Sequence, residues 1–312
     1  MSTKTPKKQQ SAPNSRRNRH GGKAKVTSSP RRGPHDRDMA AMGRTDTTPP
    51  RAGKAPPKPP QNGYFIWGRH AIDAALANPE RRIASLYASP ESSAWLAAQI
   101  TALPAARRAD LPTVQPIDRP RLDAIGGPDD KAVHQGVAAA VWPLDPPHLD
   151  GFLAGLGAGR VRLVLLDHLS DPRNVGAIMR SARAFGVQAV ITTYRNAAEE
   201  TGTLARAASG ALDHLPLIRV VNLARAIEQL QAHDIVVAGL AGDGSQPVGA
   251  LGAHDRLGIV LGAEGSGLRR LSRDNCDMLV AIDIDPDADS LNVSNAAAIA
   301  FYAAGPVKPD AR

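Results

Sequence analysis

Three short segments in the second half of the chain carry residue types that could bind an anion and transfer a group. The first is Asp171-Pro172-Arg173-Asn174-Val175-Gly176, continuing to Arg180. Asp171-Pro172 reads as a helix start, with an N-cap acceptor and proline in the first turn. Arg173 and Arg180 stand seven residues apart, so they share one helix face, opposite Val175, Ile178, Met179, Ala182 and Phe185. Main-chain N–H groups and guanidinium converging at such a start suit an anion or a phosphate. The second segment is Leu261-Gly262-Ala263-Glu264-Gly265-Ser266-Gly267-Leu268, whose glycines let a ligand approach the backbone or let the chain turn sharply. Its order is G-x-x-G-x-G, not the G-x-G-x-x-G of a dinucleotide site, and the chain has no G-x-x-x-x-G-K-[ST] phosphate loop. The third, Asp289-Ser290-Leu291-Asn292-Val293-Ser294-Asn295, opens an apolar helix with more hydroxyls and amides than capping needs. Taken singly, each has a plain structural reading: a solvated helix face, a tight turn, a helix cap.

These segments need a frame to bring them together. Val161–Asp167 is an apolar run ending in a carboxylate, as a buried parallel strand would. Further strands are predicted at Ala189–Thr193, Leu217–Val220, Ile235–Leu240, Leu257–Leu261 and Met278–Ile284, with helices at Leu223–Ala232, Leu268–Arg273 and Val293–Ala304. The first half alternates in the same way. Strands are expected at Tyr64–Trp67, Ile83–Ala88, Thr113–Ile117 and Gly136–Trp142, and helices at Ala71–Ala77, Ser92–Leu103 and Pro120–Ile125. The chain therefore reads as two α/β domains, joined through a Pro-, Gly- and Asp-rich stretch at residues 143–159.

Charge separates a third region. Residues 1–60 hold 15 Lys+Arg and 3 Asp+Glu, a net of +12; the whole chain holds 38 and 30, leaving 23 and 27, a net of −4, for residues 61–312. The basic character belongs to the tail, which lacks apolar periodicity and reads as disordered. A cationic arm suits a polyanion through counterion release, and the same composition equally fits a solvated tail. One cysteine, Cys276, excludes an intramolecular disulfide framework and a multi-cysteine zinc site. No apolar run approaches a membrane span, and the basic N-terminus lacks the apolar core of a secretory signal, so a cytoplasmic protein is expected. His70, His134, His168 and His214 show no ligand spacing, and no metal is expected. Trp67, Trp95 and Trp142 are expected to pack in the first domain rather than stack on bases.

In this order and spacing, DPRNVGAIMRSARAFG, VLGAEGSGL and SLNVSNAAAIA resemble the three motifs of the SpoU/TrmH family of RNA ribose methyltransferases. YFIWGRHAIDAAL followed by VHQGVAAAV is similar to the small ribosomal-protein-like RNA-binding domain of the branch that methylates a guanosine ribose in large-subunit ribosomal RNA. The resemblance covers about residues 63–305 and leaves out the tail.

It implies an α/β architecture in which residues 1–60 form a disordered basic tail, 61–143 a substrate RNA-binding domain and 144–159 a linker. Residues 160–305 would form a SPOUT methyltransferase domain with a deep trefoil knot, followed by a C-terminal tail at 306–312. The knot, a rare exception to unthreaded chains, would involve Leu261–Leu268 and Ile282–Ser294. The implied cofactor is S-adenosylmethionine, held around Gly262, Ile282 and Leu291 largely through backbone groups. The implied catalytic set is Asn174, Arg180, Glu264, Ser290 and Asn292, with Glu264 holding backbone N–H groups of the knot. The implied partners are large-subunit ribosomal RNA and a second copy of the chain. The family's arginine is often assigned as the base for the 2′ proton. A guanidinium keeps its proton, so Arg180 reads better as a stabiliser of the developing alkoxide. The chain departs from the family at Ile282-Asp283-Ile284, where Ile-Pro-Met is usual, and at Asn295, where a small apolar residue is usual. Two other readings are a transfer-RNA ribose methyltransferase of the same family and a catalytically inactive RNA-binding assembly factor. The extra N-terminal domain argues against the first, and the intact residue set argues against the second.

Overall fold

The computed structural model describes residues 55–126 and 133–307, and residues 1–54 of the basic tail lie outside them. The first sheet and its helices comprise β1 (Tyr64–Trp67), α1 (Arg69–Ala77), β2 (Ile83–Ala88), α2 (Pro90–Ala102), α3 (Ala105–Ala109), β3 (Val114–Pro116), α4 (Arg119–Ile125) and β4 (Val137–Val141). Strand order is β1-β4-β2-β3, with β4 antiparallel to both neighbours and β2 parallel to β3.

The second sheet has seven strands. Its elements begin with α5 (Leu149–Ala154), β5 (Val161–Asp167), α6 (Pro172–Ala184), β6 (Ala189–Thr193), α7 (Gly202–Ala208), β7 (Leu217–Val220) and α8 (Leu223–Gln231). They continue with β8 (Val236–Leu240), β9 (Gln246–Pro247), β10 (Arg256–Gly262), α9 (Arg270–Asp274), β11 (Met278–Ala281) and α10 (Val293–Ala304). The order is β7-β6-β5-β10-β8-β11-β9, every pair parallel. A parallel sheet must be covered on both faces, and β5 shows how this chain does it. Val164 and Leu166 join a core with Ile178, Met179, Ala297 and Phe301 of α6 and α10. The alternate residues, Leu163 and Leu165, join Leu149, Leu223, Ile227 and Leu230 of α5 and α8. All seven residues of β5 are buried, as its apolar run predicts.

Several elements differ from the sequence expectation. The stretch read as a linker contains α5, whose Leu149 and Leu153 are buried. The strand expected through Ile284 ends at Ala281. Beyond it the chain is acidic and exposed, and the Asp285 side chain accepts from the Asp287 N–H at 2.9 Å, a local turn that competes with pairing. Trp67 is buried, as core packing required, and lies where α7 meets β1: a Cβ on Gly202 would sit 2.1 Å from its ring.

The two sheets share a buried charge cluster. Arg81, fully buried, places Nε 2.6 Å from Asp213 Oδ1 and Nη1 2.8 Å from the Trp142 carbonyl oxygen. Nη1 also faces the Tyr64 hydroxyl and Glu200, and the Tyr64 hydroxyl donates to Glu200 at 3.0 Å. Burial works against the guanidinium, but the facing oxygens of Tyr64, Asp213 and Glu200 outweigh it and hold its pKa above the ordinary arginine value. For Tyr64, burial first and then Glu200 raise the phenol, so it stays neutral.

Candidate active site

The carboxyl ends of β5 and β10 lie side by side, Asp167 opposite Gly262, and two of the three motifs leave from there. After β5 the chain turns through His168, and the Asp171 side chain caps α6 by accepting from the Arg173 N–H at 2.9 Å. After β10 it doubles back: the Gly267 N–H donates to the Ala263 carbonyl at 2.9 Å. Gly265 and Gly267 have φ of +81° and +64°, the left-handed region where a side chain is strained. A Cβ on Gly262 would lie 2.2 Å from the Gly267 carbonyl carbon. The result is a loop with bare backbone at the sheet's carboxyl edge, where ligands of open α/β sheets bind.

The three motifs meet at Glu264. Its Oε1 accepts from Asn174 Nδ2 at 2.9 Å and from Asn292 Nδ2 at 2.8 Å. Asn292 Nδ2 also approaches Asn174 Oδ1 at 3.1 Å, while Asn292 Oδ1 caps α10 by accepting from the Ser294 N–H at 2.9 Å. The expectation that Glu264 holds backbone N–H groups is therefore corrected. Its oxygen ties two side-chain amides, because both asparagines point their donors at the one carboxylate between α6 and α10. A cleft of about 160 Å³ adjoins this cluster, lined by His168, Ser170, Asp171, Asn174, Glu264 and Val293.

The remaining candidates sit around it. Arg180 is exposed on the helix that begins beside Asn174 and makes no hydrogen bond or ion pair among the described residues. Ser290 and Leu291 are exposed on the loop before α10, and Ile282 is half-buried at the end of β11. None of these four contributes a hydrogen bond to the Glu264 cluster.

One positioning pair was missed. Asp167, fully buried, accepts from the Arg269 N–H at 2.9 Å and from Arg269 Nε at 2.6 Å, fastening the far end of the glycine loop to the end of β5. The only signal in the sequence is a carboxylate closing an otherwise apolar strand. Cys276 offers no nucleophile, because burial, reinforced by Asp277, pushes its thiol up to about 12.

A doubly covered parallel sheet with a bare-backbone loop and an amide-clamped carboxylate at its carboxyl edge defines an α/β enzyme that handles a small cofactor. Residues 162–302 match the SpoU rRNA methylase family, and residues 65–147 match the RNA 2′-O ribose methyltransferase substrate-binding family. The 23S rRNA (guanosine-2′-O-)-methyltransferase RlmB of Xylella fastidiosa is 42% identical over 185 residues, 59% of this chain and 73% of that protein. The RlmB protein of Xanthomonas campestris is 38% identical over 196 residues, 61% of this chain and 76% of its own. Among solved structures, the SpoU methyltransferase AviRb of Streptomyces viridochromogenes matches with a TM-score of 0.64 at 24% identity, covering 78% of this chain and 89% of that one. The chain belongs to the SpoU/TrmH family of RNA methyltransferases.

Proposed function

We propose that this chain transfers a methyl group from S-adenosylmethionine to a ribose 2′-hydroxyl, that of a guanosine in large-subunit ribosomal RNA. The observation that carries the reading is Glu264 holding Asn174 and Asn292, which draws three motifs far apart in sequence into one contact. The substrate assignment leans on the two RlmB relatives and on the substrate-binding match at residues 65–147.

The residues present fit the cofactor. The open backbone at Gly265 and Gly267 meets nothing within 4 Å where a Cβ would stand, and Leu291 and Ile284 expose apolar surface on the neighbouring loop. Gly262, Ile282 and Leu291 would hold the cofactor, and its sulfonium would supply the methyl group. The Arg180 guanidinium would stabilise charge developing on the ribose oxygen and the adjacent phosphate, and the 2′ proton would pass to water or another acceptor. Asn174 orients the start of α6, and Asn292 with Ser290 shapes the loop that faces it. Glu264→Ala leaves two amide donors without their acceptor and is expected to weaken S-adenosylmethionine binding about tenfold, since each charge-assisted bond is exposed and worth about 1 kcal/mol after screening. Titration calorimetry reads this directly, and unchanged affinity would remove Glu264 from the site.

The division into tail, 61–143 RNA-binding domain, 144–159 linker, 160–305 methyltransferase domain and 306–312 tail belongs to the same reading, as does a knot through Leu261–Leu268 and Ile282–Ser294. The contact of α10 with α6 and the return of Asn292 to Glu264 support the knot. A homodimer is supported by the outer face of α10, which exposes Ile299 and Tyr302. No helix among the described residues is long and apolar enough to cross a membrane, in keeping with work on RNA in the cytoplasm.

The test is methyl transfer from labelled S-adenosylmethionine to large-subunit ribosomal RNA and, separately, to bulk transfer RNA. Ribose label on ribosomal RNA is expected; label on transfer RNA alone would overturn the substrate, and a chain that binds RNA but no S-adenosylmethionine at all would favour an inactive assembly factor. Deleting residues 1–60 is expected to weaken RNA binding mainly at low salt and to flatten the salt dependence, because the tail carries +12 of the charge. An identical salt slope in the truncated chain would leave the tail without that role.

A further inference from the structure

Resting on the RNA-methyltransferase reading above, we propose that a nucleotide of the substrate RNA next to the target lies in a second cleft, between Val221 and Leu271. Tyr194 would serve there as a stacking platform, and Arg270 as the phosphate contact.

Large apolar side chains are rarely exposed together without a partner. Here Val221 is 89% exposed, Leu271 60% and Tyr194 55%, all just beyond strand ends at the carboxyl edge of the seven-stranded sheet or on the helix behind it. Tyr194 and Val221 are neighbours, because the Tyr194 N–H donates to the Val220 carbonyl at 3.0 Å across the ends of β6 and β7. Between Val221 and Leu271 opens a cleft of about 460 Å³, lined also by Asn222, Ala224, Arg270 and Ser272. That volume falls in the range of small-molecule sites and exceeds what a lone ion needs.

Apart from Asn222, whose side chain accepts from the Arg225 N–H at 3.3 Å, its polar side chains are cationic or lack a partner. Arg270 is exposed and makes no hydrogen bond or ion pair among the described residues. Arg269 lines the same cleft: its N–H and Nε serve Asp167, whereas neither Nη has a partner among the described residues. The Ser272 hydroxyl, 1% exposed at the cleft wall, is also unpartnered. Arg195 follows Tyr194 and is exposed. Single-stranded RNA brings phosphates for the arginines and π faces for the tyrosine. The Arg269–Asp167 pair links the cleft to the glycine loop, so an RNA strand could reach both at once.

The experiment measures binding of purified large-subunit ribosomal RNA and of a labelled short oligouridylate to the full chain and to its Tyr194→Ala, Arg270→Ala and Leu271→Ser variants. Kd is expected to rise about tenfold for Tyr194→Ala, as for loss of one stacked base. Arg270→Ala should also lower the slope of log affinity against log salt by about 0.7, one single-strand phosphate. In methyl transfer, KM for RNA should rise while kcat and S-adenosylmethionine affinity hold. Variants that bind both RNAs as tightly as the parent, with the same salt slope, would overturn the cleft. So would a Leu271→Ser chain whose only change is a lower oligomeric mass, since the face would then be a contact between copies. A parent chain that methylates neither RNA, beside variants that still lose RNA affinity, would overturn the methyltransferase reading and leave the cleft standing.

Discussion

Arg180→Ala is expected to lower methyl transfer by about 10²–10³-fold, the usual cost of removing one preorganised stabiliser of developing negative charge. S-adenosylmethionine affinity and thermal unfolding should stay at parental values. The second half of this expectation follows from the structure. Arg180 is exposed and unpaired among the described residues, so its removal breaks no internal contact. Surface substitutions of that kind shift stability by within about 0.5 kcal/mol. An exposed arginine on the helix that also presents Asn174 to Glu264 is held in place by that helix and left free to act on something outside the chain. Arg180→Lys separates charge from shape: a lysine keeps the positive charge and loses the planar fork. Turnover near the parent's in that variant would mean that a point charge suffices. Parental turnover in Arg180→Ala would remove the residue from the chemistry.

The sequence made the frame legible because the frame obeys simple periodicities. Val161–Asp167 appears in the structure with the bounds its apolar run indicates, and so do Ala189–Thr193 and Leu217–Val220. The elements that escaped lack such a signal. Helix α7, Gly202–Ala208, is short, starts at a glycine, and is capped by Thr201, whose hydroxyl accepts from the Leu204 N–H. Helix α5 follows Pro146-Pro147 and is preceded by His148, whose side chain offers no capping bond. The convergence of Asn174, Glu264 and Asn292 was reachable only through the motif resemblance, since the contacts span up to 118 positions. The Asp167–Arg269 pair was out of reach for a different reason. It depends on β10 lying next to β5, and strand order in a parallel sheet is not written in any local pattern. The same holds for the Arg81 cluster, whose partners come from the first and the second sheet regions.

That cluster gives the largest expected effect on stability. Arg81→Ala should destabilise the chain by about 3–5 kcal/mol, measured as the change in unfolding free energy in urea. The side chains of Asp213 and Glu200 are 3% and 8% exposed, and removing the guanidinium leaves both carboxylates buried without their counter-charge. It also orphans the Trp142 carbonyl oxygen, which Arg81 Nη1 serves at 2.8 Å. Removing one carboxylate costs less, because the guanidinium keeps the other. Asp213→Ala should therefore fall between Arg81→Ala and Glu200→Ala, since its 2.6 Å contact is closer than the 3.4 Å contact of Glu200. Pairing Arg81→Met with Asp213→Leu should recover part of the loss, because the desolvation of one ion pair disappears along with its attraction. A loss below about 1 kcal/mol for Arg81→Ala, the value of an exposed pair, would mean that water reaches the cluster in solution. The functional consequence follows from where the charges sit. Tyr64 and Arg81 belong to the first sheet and its connections, Glu200 and Asp213 flank α7, and α7 packs on α6, the helix that carries Asn174 and Arg180. Arg81→Ala chains that remain folded at low temperature are expected to show a raised KM for RNA with S-adenosylmethionine affinity unchanged. The Arg81 cluster ties the first sheet to the elements packed on α6, the helix that carries Asn174 and Arg180, and does not touch the loop that would hold the cofactor.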